Sequence, residues 1–328
     1  MTKTVDIFGV PHTYELTDSN HPTCLVFIHG WLLSRRYWRP LVDQLSGYPC
    51  LFYDLRGFGE SPLGSALSDG GDSDGDTSSQ ASCAAPASDP AAAMTNSGGA
   101  PAAAQALQSQ SASPYSPAAY AKDLNQLLDT LEIKAAWVVG HSLGGSIGLW
   151  AALQSPERIC GCICVNSGGG IYLREEFEKF RSVGQQLVRL RPPWLNKLPL
   201  LDLAMARMNV ARPMARRWGR QRLVDLVTAQ RDAALGTLLE STTEEEVHRL
   251  PHVVSHLDQP VYFIAGETDD IMEPKYVDHL ASFHRLFQSK GQNVIKLPRC
   301  GHFAMIEQPE RLAAEIKVIL ARHGDGSL

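Results

Sequence analysis

The chain has 328 residues, 44% of them hydrophobic and 20% charged, which is enough to bury a full core in one large domain or two smaller ones. Its formal net charge of −5 excludes the basic surface that a general nucleic-acid binder needs. Seven cysteines without disulfide-framework spacing suit a reducing compartment; with no apolar h-region after Met1 and no run of about 18 apolar residues, a cytoplasmic soluble enzyme is expected.

Residues 4–17 alternate apolar and polar loosely enough for an opening β-hairpin. Short apolar runs follow at Thr23–Ile28, Pro49–Tyr53, Ala135–Val139, Ile159–Val165, Pro260–Ala265 and Asn293–Leu297. Each has the length of a buried strand, and several are rich in Val, Ile and aromatics. Amphipathic stretches at Tyr120–Leu131, Leu143–Gln154, Lys275–Gln288 and Pro309–Arg322 predict helices between and after them. Strands alternating with helices predict an α/β fold, a mostly parallel sheet with helices on both faces.

Two segments interrupt the alternation. Residues 63–114 are Ala, Ser, Gly, Asp, Gln and Pro with hardly a large side chain, and no Lys or Arg occurs between Arg56 and Lys122. Such a composition cannot offset its ordering entropy by burial, so a disordered insertion is expected, either a docking tether or a tolerated surface expansion. Residues 168–257 read as helices without a strand signal and are rich in Arg, Trp and Pro, as in Arg191-Pro192-Pro193-Trp194 and Arg212 to Trp218. A helical block between two strands predicts a cap over a core made of residues 1–62, 115–167 and 258–328. Its basic, aromatic character would suit peripheral contact with an anionic membrane. The plainer reading is that these side chains pack the cap onto its own core.

The chemistry centres on Gly140-His141-Ser142-Leu143-Gly144, a G-x-S-x-G pattern that follows a predicted strand and opens a predicted helix. A serine at such a turn projects its hydroxyl, and the glycines two positions either side leave room for neighbouring backbone. The helix that follows presents unpaired N-terminal amides, which suit an oxyanion. Serine needs a base held by a third group. Of the eleven histidines, His302 stands out because Cys300-Gly301-His302 lies between the last strand and last helix. Acids at Asp269 and Asp270 follow the strand Pro260–Ala265, giving the order Ser, Asp, His beyond the carboxyl ends of strands. Position alone leaves Asp269 and Asp270 both open.

With His29-Gly30-Trp31, Asp54 to Ser61 (D-L-R-G-F-G-E-S), the elbow, Gly266 to Asp269 and Gly301-His302, the chain resembles the α/β-hydrolase superfamily over nearly its whole length, in its serine carboxylesterase or lipase-like branch with a helical cap. The resemblance implies Asp269 as the triad acid, since Ile271 stands two positions later. Pro274 departs from the pattern, lying five residues after Asp269 and four after Asp270. It also implies an oxyanion hole from the backbone amides of Trp31 and Leu143, with His29, Gly30, Gly140, His141 and Gly144 as structural parts of the elbow. The Asp54–Ser61 turn is expected to be structural, with Arg56 and Ser61 bonding locally.

Cys160-Gly161-Cys162-Ile163-Cys164 has a spacing that invites a metal reading. On a strand, however, residues two apart share a face, and three parallel thiols read better as small buried hydrophobes. No metal or cofactor is expected. The expected activity is ester hydrolysis through Ser142, His302 and Asp269 on a small-molecule ester, whose acyl and alcohol groups the sequence leaves open and for which a hydrophobic substrate is one option. Carbon–carbon bond hydrolysis and perhydrolase or haloperoxidase chemistry are the alternatives within the fold. A ligand-sensing receptor with slow turnover is the alternative of another class.

Overall fold

The computed structural model describes residues 1–64, 113–168, 174–290 and 293–324. All but the edges of the segment 63–114 therefore lie outside the described residues. The strands are β1 (Thr2–Ile7), β2 (Val10–Leu16), β3 (Cys24–Ile28), β4 (Cys50–Tyr53), β5 (Ala136–His141), β6 (Ile159–Val165), β7 (Val261–Gly266) and β8 (Val294–Leu297). They form one sheet in the order β1-β2-β4-β3-β5-β6-β7-β8. The hairpin β1–β2 joins β4 antiparallel, and every pairing from β4 through β8 is parallel.

Parallel strands need crossovers, and these cover both faces. On one face Val26, Ile28, Leu51 and Val138 pack under α2 (Pro117–Thr130) and α3 (Leu143–Gln154). On the other, Leu25, Phe27, Phe52 and Val139 meet a short 3₁₀ turn (Arg35–Trp38), α1 (Arg39–Val42), α11 (Ala304–Glu307) and α12 (Pro309–Arg322). Helix α2 starts where the sequence dictates: the Ser116 hydroxyl accepts from the Ala119 amide at 3.2 Å, and Pro117 occupies the first turn. Between β6 and β7 run α4 (Arg174–Arg189), a 3₁₀ turn (Pro193–Lys197), α5 (Leu201–Met205), α6 (Arg216–Thr228), α7 (Arg231–Ser241) and α8 (Glu244–Ser255).

Three sequence expectations need correction. The stretch Lys275–Gln288 is not one helix but two, α9 (Pro274–Ala281) and α10 (Arg285–Lys290). The buried His284 ring turns inward to bond the Gln259 carbonyl at 3.0 Å and caps the Leu286 amide, which breaks the helical run between them. The three thiols of β6 do not share a face. The pairing of β5 with β6 shifts register between Ala136 and Trp137, and the resulting bulge turns Cys160 toward the opposite core layer from Cys162 and Cys164. Among the described residues, no three His, Cys, Asp or Glu side chains are grouped as a metal site would require. Arg56 does not bond locally either: its Nε lies 3.1 Å from Asp123 on α2 and its Nη2 donates to the Pro114 carbonyl at 2.7 Å. Ser61 does bond locally, donating to the Asp54 carbonyl at 2.9 Å.

Trp218 packs against Tyr37 of the core with ring centroids 5.5 Å apart, and Arg191 donates to the Ala229 carbonyl at 2.6 Å. Trp194, by contrast, is 57% exposed. No described helix is long and apolar enough to cross a membrane.

Helix α8 is tied to the core through a buried acid, Glu246, whose Oε1 accepts from the Trp150 indole of α3 at 2.6 Å. Burial pushes this carboxyl up to about 7, against the lowering effects of Trp150 and Arg249. A folded-state value above the unfolded one means the folded protein binds the extra proton. The stability this group contributes is therefore full below about pH 4.5 and is lost as pH rises through about 7. Glu246→Gln, which keeps an acceptor for Trp150, should raise Tm by on the order of 5 °C at pH 8 and leave it nearly unchanged at pH 5. Melting curves of both proteins at the two pH values check this, and an equal shift at both would contradict it.

Candidate active site

Ser142 lies between β5 and α3 with φ 52° and ψ −119°, a conformation costing on the order of 1–3 kcal/mol for a residue with a side chain. The flanking glycines explain how the turn fits. A Cβ on Gly140 would lie 2.2 Å from the Gly144 carbonyl oxygen, and one on Gly144 would lie 2.3 Å from the Ile28 carbonyl oxygen of β3. The Ser142 amide donates to the Val165 carbonyl of β6 at 3.0 Å, which ties the turn to the next strand.

Asp269 and His302 occupy the loops that leave β7 and β8. The His302 Nδ1–H donates to Asp269 Oδ2 at 2.8 Å, leaving Nε2 as the basic nitrogen. The other oxygen, Oδ1, accepts from the Ile271 and Met272 amides, each at 2.9 Å. Burial alone would raise this carboxyl, but His302, the Met272 amide and Asn166 outweigh it and hold Asp269 below the usual carboxylate range. Asp270 is exposed and has no such contacts among the described residues, whereas Asp269 is 2% exposed. Ser142 and His302 line one cavity of about 310 Å³, with Trp31, Ile271 and Phe303. No hydrogen bond joins the Ser142 hydroxyl to His302 in this structure. Nucleophile–base bonds of this kind are commonly long without substrate and tighten once it binds.

The remaining elbow residues have structural partners. His29 donates from Nδ1 to the Gly30 carbonyl at 2.8 Å and accepts at Nε2 from the Leu55 amide at 3.0 Å, which holds the loop after β3 against that after β4. His141 is fully buried; burial first, then the nearby His302, pushes its ring down to about 3, so it is neutral. Its Nε2–H donates to the His302 carbonyl at 2.7 Å and so positions the histidine loop. Gly30 is needed where it stands, since a Cβ there would lie 2.8 Å from His141 Nδ1. The amides of Trp31 and Leu143 have no hydrogen-bond partner among the described residues.

Three residues of the site escape a reading of the sequence. Asn166, at the end of β6 with φ 48°, donates from Nδ2 to Asp269 Oδ2 at 2.8 Å and to the Gly301 carbonyl at 3.1 Å. An Asn in the left-handed region just after a strand is the signal that could have marked it. Glu307 accepts from the amides of Gly301, Phe303 and Ala211 and so braces the loop around His302. Arg222, on α6, reaches the cavity from the cap side.

A family model described as the alpha/beta hydrolase fold matches residues 23–309. The chain belongs to the α/β-hydrolase fold family. It is similar to the 2-succinyl-6-hydroxy-2,4-cyclohexadiene-1-carboxylate synthase of Enterobacter sp. (strain 638), 26% identical over 303 residues, covering 90% of this chain and 91% of the relative. Among solved structures it is similar to a thermophilic esterase from Thermogutta terrifontis, with a TM-score of 0.65, 18% identity and coverage of 98% and 99% of the two chains. It is also similar to the enol-lactonase from Burkholderia xenovorans LB400, with a TM-score of 0.67, 18% identity and coverage of 97% and 100%.

Proposed function

We propose that the protein is a serine hydrolase that cleaves a carboxylic ester through an acyl-enzyme on Ser142. The observation that carries this reading is the buried Asp269–His302 pair, which fixes the imidazole with Nδ1–H toward the acid and Nε2 free, in the cavity that Ser142 lines. His302 takes the Ser142 proton as the hydroxyl oxygen attacks the ester carbonyl, and Asp269 stabilises the imidazolium that forms. The unpartnered amides of Trp31 and Leu143 receive the oxyanion, each such donor being worth about 3–4 kcal/mol in the transition state. His302 then protonates the departing alcohol and afterwards activates water to release the acid. The chemistry draws on no cofactor.

The similarity to synthases of a succinyl-cyclohexadiene carboxylate lends loose support to a second reading, in which the same site works on a carbon–carbon bond. Turnover of p-nitrophenyl esters from acetate to palmitate tests the first. Many turnovers per protein, with an optimum at short to medium chains as the cavity volume of about 310 Å³ implies, are expected. A single burst without turnover would favour the ligand-sensing alternative, and no reaction at all would favour carbon–carbon chemistry.

A further inference from the structure

The cavity is mostly apolar, walled by Val183, Leu187, Met205, Leu226, Ile271 and other hydrophobic side chains, yet the Arg222 cation is built into it. Arg222 is only 9% exposed. Its Nη1 is consumed by the carbonyls of Met205 at 2.6 Å and Met208 at 2.8 Å, and one face of the guanidinium lies on the Phe303 ring, 4.5 Å from its centroid. These contacts lock the group beside the residue that follows His302. The remaining edge, Nε and Nη2, has no hydrogen-bond partner among the described residues, and neither atom is wholly sealed from solvent.

No carboxylate pairs with Arg222 among the described residues. The nearest candidate on its own helix, Asp225, is spent elsewhere: Oδ1 accepts from Gln221 at 2.9 Å and Oδ2 from Ser34 at 3.2 Å. Burial also pushes Asp225 up to about 7, so it is a weak counter-charge at neutral pH. Tyr37, which faces both residues, is held as a neutral phenol by its burial. A buried guanidinium without a counter-ion is costly, and a hydrophobic residue would close the same wall more cheaply. A fork of two parallel N–H donors on a planar cation matches a carboxylate better than any neutral group.

We propose that Arg222 is a specificity residue that receives a carboxylate of the substrate, so that the molecule attacked by Ser142 is an acidic ester whose carboxylate and scissile carbonyl fit together in the one cavity. The proposal deepens the ester-hydrolase reading and rests on it for the identity of the attacked group, but not for the carboxylate itself. Recognition holds the acid end against the cap while the ester carbonyl lies at the elbow. The cavity, at about 310 Å³, is at the small end of ligand sites and suits a half-ester of a short dicarboxylic acid.

The test measures binding without turnover. Monomethyl and dimethyl esters of succinate, glutarate and adipate are titrated calorimetrically into the full-length Ser142→Ala protein. For at least one chain length the monomethyl ester should bind at least tenfold tighter than the dimethyl ester. Adding Arg222→Gln should reduce that ratio to near one, and adding Arg222→Lys should restore part of it. The ratio reports recognition of charge, which a merely structural loss in the cap would not change selectively, and melting temperatures of the three proteins confirm folding. Equal binding of each pair, no detectable binding of either member, or a preference that survives Arg222→Gln would overturn the proposal. Fluorophosphonate labelling of the wild-type serine, run separately, reports on the hydrolase reading alone, so failure of the two is told apart.

Discussion

Replacing Ser142 by alanine is expected to lower kcat for ester cleavage by about 10⁶, close to what removing a whole triad costs, because the acyl-enzyme route vanishes with its nucleophile. The loss should come without unfolding. The Ser142 hydroxyl has no hydrogen-bond partner among the described residues, so alanine orphans no buried group. Alanine also inherits the same φ of 52° and therefore the same backbone cost. Tm should stay within about 2 °C of the parent, in line with a substitution that creates no cavity and breaks no bond. Steady-state rates with the best p-nitrophenyl ester, together with melting curves, check both halves. A fall of only tenfold would place the nucleophile elsewhere.

The second large effect separates two neighbouring acids. Asp269→Asn should cost about 10⁴ in kcat. An amide in place of Oδ2 presents either a donor or an acceptor to His302 Nδ1. With a donor there, the ring must take the tautomer whose Nε2 carries the proton and can no longer accept from Ser142. The change also disturbs Asn166, whose Nδ2 now donates to that oxygen, and the two amides of Ile271 and Met272 that hold Oδ1. Asp270→Asn removes an exposed charge and should change kcat by less than about threefold. Kinetics of the two single variants at pH 8 decide the matter, and a severe loss in Asp270→Asn would reverse the assignment of the acid.

The parts of the molecule that local chemistry dictates could be read from the sequence. Short apolar runs become buried strands because both faces of the sheet are covered, and the glycines around Ser142 announce a turn in which carbonyl oxygens pass within contact distance of Cα. Features decided by distant contacts could not. The bulge that turns Cys160 away from Cys162 comes from the pairing of β5 with β6, so strict alternation along one strand misplaces it. The break between α9 and α10 reflects a carbonyl at Gln259, well upstream of His284. Arg56 reaches Asp123 across the segment 63–114.

At the site the same division holds. His302 and the acids are marked by their positions after strands, while Asn166 and Glu307 act through loops brought together only in the folded chain. Arg222 was one of many cap arginines in the sequence. Only its burial, the occupied Nη1 and the Phe303 ring beneath it distinguish it from Arg216 and Arg220, which pair with Asp202 at 2.6 and 3.5 Å near the surface.

Mass spectrometry of the wild-type protein after brief exposure to a fluorophosphonate shows whether Ser142 is an activated nucleophile. One adduct per chain is expected, mapped to the peptide that contains Ser142 and absent from a His302→Ala protein treated in parallel. An adduct on another residue, or full ester turnover with Ser142 unlabelled, would contradict it.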